Sequence, residues 1–208
     1  MDNYIITIAR SFGSGGKEIA SLLSEKLGIP WYERQILTMA SQASGIDESE
    51  FVEVDEKLHG SYLIKSLTKL PTANVLRPES RAFVSDLNLY NIQVAIIEEL
   101  SRTQSCIIVG KCADHILRDK PNVLSVFVDA YYDDCISKIR SRIYVSEERA
   151  KDMKKRTDKY RTAYYKYYTR GENWKDTLNY DMFLNTSRNS TNDCAEIIAK
   201  AVELKFGK

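Results

Sequence analysis

The chain has 208 residues and a net charge of +1, with 43% hydrophobic and 28% charged residues. This length and composition fit one globular domain with a sizeable core, and they exclude a chain that needs disulfides or metal ions to fold. The near-neutral charge gives no overall attraction to nucleic acid, so any electrostatic interaction has to be local.

No apolar run approaches the length of a membrane span, and no charged-then-apolar leader precedes the first strand-like segment. We therefore expect no membrane partner and a cytoplasmic location. The four cysteines are scattered without CxxC spacing, which predicts reduced thiols and neither a disulfide framework nor a zinc site. We accordingly predict no metal-ligating residues.

The first 28 residues contain a strand, a glycine-rich turn and a helix in direct succession. Tyr4–Ala9 is a short apolar run rich in β-branched residues, as expected for a strand buried on both faces. The glycine-rich sequence SFGSGG follows closely. In Lys17–Leu27 apolar residues recur at helical spacing, and Gly28 is predicted to end the helix.

Further strands and helices alternate along the rest of the chain. Cys106–Gly110 and Leu124–Ala130 are apolar runs like the first, and Pro30–Tyr32 and Tyr180–Asn185 are weaker strand candidates. Helical patterns occupy Glu33–Ser44, Glu79–Arg102, Tyr132–Arg142, Glu147–Tyr168 and Asn192–Phe206. This alternation predicts an α/β fold with a mainly parallel sheet, a central first strand and helices on both faces. Gly60–Pro78 is predicted as a loop within a largely helical insertion.

The segment Ser11–Lys17 has the composition of a phosphate-binding loop. In such loops the glycines let backbone N–H groups converge on phosphate oxygens, the helix dipole favours the anion, and a lysine reaches the terminal phosphates. The predicted nucleotide contacts are Ser11, Gly13, Ser14, Gly15, Gly16, Lys17 and Glu18. The alternative is a simple glycine turn between strand and helix with a solvated lysine.

Two residues depart from the GxxxxGK[ST] pattern of these loops. Ser11 replaces the first glycine, and Glu18 replaces the Ser or Thr that would bind Mg²⁺. If Mg·ATP is used, phosphate oxygens and water must hold most of the metal, as is usual for Mg²⁺. Otherwise the loop binds phosphate without turnover.

The segment from Lys138 to Arg170 is densely basic, and its later part contains five interleaved tyrosines, Tyr160, Tyr164, Tyr165, Tyr167 and Tyr168. It fits a solvated helix with its tyrosines on the core, a nucleic-acid surface, or a lid that closes over a polyphosphate. Lys154, Asp158 and Arg161 share one helix face at positions i, i+4 and i+7. Together with a phosphate loop, this face favours the lid and argues against a nucleic-acid partner.

Four segments resemble the cytidylate kinase-like family. They are the opening ITIARSFGSGGKEIASLLSEKLGIPWYE, which ends in the family's P-x-Y-D/E segment, then Ile107–Asp114, Asp158–Tyr165 and Asn179–Thr186. Their order and spacing agree with the family, and they cover most of the chain outside Asp47–Ser105. The resemblance implies a three-layer P-loop NTPase fold with a five-stranded parallel sheet. It also implies one domain over residues 1–208, with an acceptor-binding insertion at about 33–104 and a lid-type arm at about 143–178.

The resemblance further implies an ATP-dependent kinase that phosphorylates a nucleoside monophosphate, with CMP and dCMP as the candidate acceptors and with ATP and Mg²⁺ as cofactors. The implied acceptor-binding residues are Arg10, Lys111, Lys154, Asp158 and Arg161. Catalysis would come from charge neutralisation by Lys17, Arg142 and Arg161 with Mg²⁺. A kinase of another small metabolite and a non-catalytic nucleotide sensor remain alternatives. We expect nucleotides as small-molecule partners, and a monomer or homodimer.

Overall fold

The computed structural model describes residues 3–45 and 86–207. Most of the predicted insertion, including the loop at Gly60–Pro78, lies outside the described residues. Within them the chain forms a five-stranded sheet with strand order β2-β3-β1-β4-β5, and every neighbouring pair is parallel. The strands are β1 (Ile5–Arg10), β2 (Trp31–Tyr32), β3 (Cys106–Val109), β4 (Val123–Asp129) and β5 (Met182–Asn185). The predicted α/β fold with a central first strand is therefore confirmed.

The helices alternate with the strands, as predicted. They are α1 (Gly16–Leu27), α2 (Gln35–Ser44), α3 (Asp86–Thr103), α4 (Ala113–Ile116), α5 (Tyr132–Ile143), α6 (Glu147–Tyr168) and α7 (Thr191–Phe206). A 3₁₀ turn at Thr177–Asn179 precedes β5. The short α4 was not predicted, because four residues are too few to show a helical period.

Two apolar clusters cover the two faces of the sheet. Ile6 and Ile8 of β1 face Leu23 of α1 and Val202 of α7 in one cluster. Ile5 points to the opposite face, where it joins residues of α2 and α3 in the other. Because successive strand residues point to opposite faces, the continuous apolar run of β1 is buried on both sides. Because β1, β3 and β4 are parallel, their carboxyl ends lie at one common edge of the sheet, where the loops carry the polar groups.

Candidate active site

The glycine-rich loop between β1 and α1 is anchored from two sides. The Ser14 hydroxyl lies 2.9 Å from the carbonyl oxygen of Ser11 and 3.0 Å from that of Val128. The Thr186 hydroxyl donates to the Ser14 carbonyl at 2.7 Å. Gly15 has φ of 87°, in the left-handed region that favours glycine. The N–H groups of the first helical turn have no partner within the helix, so they form a ready site for an anion.

Lys138 of α5 is also close to this loop. A Cβ atom built on Gly15 would lie 3.8 Å from Lys138 Nζ, which donates to Thr186 Oγ1 at 3.2 Å. In the sequence, Lys138 is recognisable only as part of the basic segment. Because residues four apart share a helix face, its spacing from Arg142 could have indicated that both residues lie near the loop.

The structure brings Glu18 and Arg142 together. Arg142 forms an ion pair with the Glu18 carboxylate, and the Thr191 hydroxyl donates to the other Glu18 oxygen at 2.8 Å. Arg142 therefore lies at the first turn of α1, but its charge is engaged by the residue that replaces the usual Ser or Thr.

Lys17 points toward the end of β2 in this structure. Its Nζ lies 3.5 Å from the Glu33 carboxylate and 5.7 Å from the centre of the Trp31 ring. About half of the Lys17 side chain is exposed. The Lys17 side chain thus extends from the loop to Glu33, just after β2.

Three predicted residues of α6 hold the backbone at the start of the loop. Asp158 accepts a hydrogen bond from the Phe12 N–H at 2.7 Å, and Lys154 donates to the Phe12 carbonyl at 3.1 Å. Lys154 and Asp158 also pair with each other at 2.9 Å. Arg161 donates to the Arg10 carbonyl at 2.9 Å. We call Lys154, Asp158 and Arg161 the loop brace.

The charge of Lys154 is stabilised although the side chain is buried. Burial disfavours the ammonium group, but the hydrogen bond and negative charge of Asp158 outweigh this and raise the pKa of Lys154. Breaking this pair would therefore leave a charge without compensation in the contact between α6 and the loop.

A cavity of about 300 Å³ opens beside the loop at the carboxyl ends of β1 and β3. We call it the strand-end cavity. It is lined by Ala9, Arg10, Glu33, Arg34, Val109, Gly110, Lys111, Cys112, Asp114, Thr157, Tyr160, Arg161, Tyr164, Tyr165 and Trp174. Of the predicted acceptor-binding residues, Arg10, Lys111 and Arg161 line it. Lys154 and Asp158 instead border a second cavity at the end of β4.

Glu33 lies among the cations of the strand-end cavity. Burial opposes its ionisation, but the charges of Arg10, Lys17 and Arg161 outweigh burial, so the pKa of Glu33 lies below its usual value. Arg10 forms an ion pair with Glu33, and its guanidinium packs against Gly110. Gly110 has a φ of 78°, in the left-handed region that favours glycine, and a Cβ there would displace the Arg10 guanidinium from this position.

The cations of the cavity repel one another. Burial and the nearby charge of Arg10 lower the pKa of Arg161, which stays charged at neutral pH, and lower the pKa of Lys111 to about 8. With Arg34 added, four cations face two carboxylates, those of Glu33 and Asp114. The cavity therefore favours an anionic ligand.

Two acidic residues that line the cavity, Glu33 and Asp114, are not among the site residues predicted from the sequence. Glu33 closes the segment Pro30–Glu33, which carried part of the family resemblance, so its position could have been inferred. Asp114 is buried and accepts a hydrogen bond from the Tyr165 hydroxyl at 2.8 Å, and burial raises the pKa of Asp114 to about 6. Asp114 likewise ends the segment Ile107–Asp114, which carried part of the resemblance, but nothing in the sequence indicated that it is buried.

Solved structures with this architecture include P-loop kinases. An uncharacterized protein from Eubacterium ventriosum is 26% identical over 97% of this chain and 99% of its own, with a TM-score of 0.70. TT1252 from Thermus thermophilus is 17% identical over 98% and 99%, with a TM-score of 0.52. Shikimate kinase from Acinetobacter baumannii, in complex with shikimate, is 10% identical over 100% and 97%, with a TM-score of 0.51. These similarities show a P-loop kinase fold.

The family follows from a separate comparison. The model of the cytidylate kinase-like family matches residues 5–188, and the chain belongs to this family. No curated protein matches the chain. The resemblance inferred from the four sequence segments is confirmed.

Two further features concern residues 3–45 and 86–207 alone. None of the helices there has both the length and the apolar character needed to cross a membrane. No group of three His, Cys, Asp or Glu side chains in these ranges is arranged to hold a metal ion.

The loop brace gives a stability prediction. Replacing Lys154 by Met removes its hydrogen bonds to Phe12 and Asp158, so the free energy of unfolding should fall by about 1.5–3 kcal/mol. Lys155→Met, the same change at the next and exposed position of α6, should change it by less than about 0.5 kcal/mol. Urea unfolding of both variants provides the measurement. An equal change in the free energy of unfolding of the two variants would show that the hydrogen bonds of Lys154 contribute no stability.

Proposed function

We propose that the protein transfers the γ-phosphoryl group of ATP to a nucleoside monophosphate bound in the strand-end cavity. The supporting observation is that the phosphate loop and the cationic cavity share one edge of the sheet. Arg161 links them, since it donates to the Arg10 carbonyl and also lines the cavity. Donor and acceptor phosphates would thus be held side by side, and positioning of this kind supplies most of the catalysis in phosphoryl transfer.

The phosphate loop fits the polyphosphate of ATP. Gly13 and Gly15 have positive φ, and the first turn of α1, whose N–H groups have no partner within the helix, follows them directly. Lys138 lies beside the loop, and Lys17 can turn from Glu33 to the terminal phosphates. Bound Mg²⁺ would supply charge neutralisation at these phosphates and would be held mostly by phosphate oxygens and water. The proposed nucleotide contacts therefore remain Ser11 and the six residues from Gly13 to Glu18.

The cavity fits the phosphate of the acceptor. We assign this phosphate to Arg10, Lys111 and Arg161, whose cationic groups surround the space next to the loop. A phosphate there would compete with Glu33 for its two cations, Arg10 and Lys17. Once its pairing with Glu33 is weakened, Lys17 would be able to reach the donor phosphates. We propose Lys17, Arg142 and Arg161 as the residues that neutralise charge during transfer. Lys154 and Asp158 would act on the acceptor indirectly, by holding Phe12, while Arg161 holds Arg10.

A nucleotide sensor without turnover is the second candidate. The Glu18–Arg142 pair favours it, because a proposed catalytic cation is engaged by the residue that replaces the usual Mg²⁺ ligand. A kinase acting on another small metabolite would use the same loop with a different ligand in the cavity. The lid role of residues 143–178, the insertion at 33–104, the monomeric or homodimeric state and the cytoplasmic location also remain proposals.

Lys17 provides the first test of the function. Lys17→Ala should weaken Mg·ATP binding by about 1.5–3 kcal/mol, the range for a hydrogen bond to a charged group. Lys26→Ala, at the far end of the same helix and paired with Glu196, should leave it unchanged. Calorimetric titration measures binding, and turnover of the native protein on a panel of nucleoside monophosphates measures transfer.

The turnover panel separates the candidates. Phosphorylation of at least one nucleoside monophosphate, lost in Lys17→Ala, supports the proposed kinase. Binding of ATP without phosphorylation of any of them would contradict it and favour the sensor or another acceptor.

Lys111 provides a pH test. Its pKa of about 8 means that its charge is present below pH 8 and disappears as the pH rises through this value. The acceptor phosphate is fully ionised over this range, because its second pKa is about 6. The acceptor kcat/KM should therefore fall above pH 8 in the native protein.

Lys111→Arg is the matched variant, because arginine keeps its charge at these pH values and can bind phosphate through two hydrogen bonds. It should flatten the pH profile and lower the acceptor KM. An identical pH dependence in the two proteins would remove Lys111 from the phosphate site.

A further inference from the structure

The strand-end cavity has a cationic side and an aromatic side. The cationic side lies at the ends of β1 and β3, where Arg10 and Lys111 are located. The aromatic side is formed mainly by tyrosines of α6, namely Tyr160, Tyr164 and Tyr165. A ligand that fills this cavity therefore contacts charge at one end and ring faces at the other.

Helix α6 sets the distance between these two sides. Arg161 contacts the loop backbone, and Tyr164 follows it by three residues, or about 4.5 Å along the helix axis. Tyr160 precedes Arg161 and lines the same cavity. A phosphate held by Arg161 is thus within one helical turn of an aromatic surface. The phosphate and the base of a nucleotide are separated by a distance of the same order.

The aromatic rings differ in how far they are already packed. Tyr165 is buried, and Tyr164 packs against Tyr168 with ring centres 4.6 Å apart. Tyr168 in turn stacks on Tyr90 of α3 at 3.8 Å and 12°. Tyr160, whose ring centre is 6.0 Å from that of Tyr164, is 66% exposed. Tyr160, the most exposed of these packed tyrosines, therefore has ring surface available to a ligand in the cavity.

We propose that Tyr160 is the stacking platform for the base of the acceptor nucleotide. This inference rests on the proposed function and specifies the ligand of the same cavity. Every base has a π-face, so a tyrosine platform adds affinity for all nucleoside monophosphates and selects little among them. Tyr164, whose ring centre is 6.0 Å from that of Tyr160, restricts the positions open to the Tyr160 ring and so reduces the entropy that binding would otherwise cost.

A core role for Tyr160 does not fit its surroundings. A tyrosine that packs only against the core is mostly buried, as Tyr165 is at 2% exposure. Tyr167 of the same helix is 71% exposed and does not line the cavity, so it is a matched control. Tyr160 combines exposure with a place in the cavity wall.

The test compares Tyr160→Leu with Tyr167→Leu in the full chain. Loss of stacking should raise the KM for CMP by about 5- to 150-fold in Tyr160→Leu, with the KM for ATP and kcat nearly unchanged. Tyr167→Leu should behave as the native protein, and Tyr160→Phe should restore the KM, because the ring alone is required. Ribose 5-phosphate, which has no base, should bind equally well to the native protein and Tyr160→Leu.

A spectroscopic measurement checks binding without turnover. Tyr160→Trp should show quenching of its fluorescence by CMP beyond any change in Tyr167→Trp, because a stacked base contacts the new indole ring. Phosphorylation of CMP with an unchanged KM in Tyr160→Leu, and no added quenching in Tyr160→Trp, would overturn the platform while leaving the proposed function intact. Failure of the native protein to bind or phosphorylate any nucleoside monophosphate would overturn both.

Discussion

The contact between α6 and the phosphate loop is the interaction on which the site depends. Asp158, Lys154 and Arg161 hold the backbone from Arg10 to Phe12, and Arg161 extends into the strand-end cavity. Any movement of α6 is therefore transmitted to both the loop and the cavity. If the arm acts as a lid, its closure would align the donor and acceptor phosphates in one step. The buried Lys154–Asp158 pair makes this contact specific, because either partner alone would be left as a charge without compensation.

Charge balance is the second constraint on the site. The cavity gathers Arg10, Lys111 and Arg161 within a small volume, and Glu33 compensates part of their repulsion. An incoming phosphate can replace Glu33 as the compensating anion. Glu33 thus balances part of the positive charge without a ligand, and the proposed acceptor phosphate would take over this role. Glu18 and Arg142 repeat this arrangement on the other side of the loop, where a carboxylate again engages a cation that phosphate would attract.

The sequence predicted the strands and helices well, because local periodicity determines them. The strand, loop and helix of the first 28 residues appear as expected, and α6 has the predicted bounds. Spacing also placed the brace residues on one helix face. It could not show that this face binds Phe12, because that residue lies more than 140 positions away. Asp114 was equally hidden, since its burial depends on packing between distant segments.

We propose that the loop and the strand-end cavity bind the two nucleotides of one reacting pair. The most direct test is the affinity of an adenosine joined to a cytidine through a five-phosphate bridge, measured by calorimetry. If both sites are engaged at once, this compound should bind at least about 100-fold more tightly than ATP or CMP alone. Both ATP and CMP should displace it. An affinity no greater than that of ATP, with no displacement by CMP, would contradict the account.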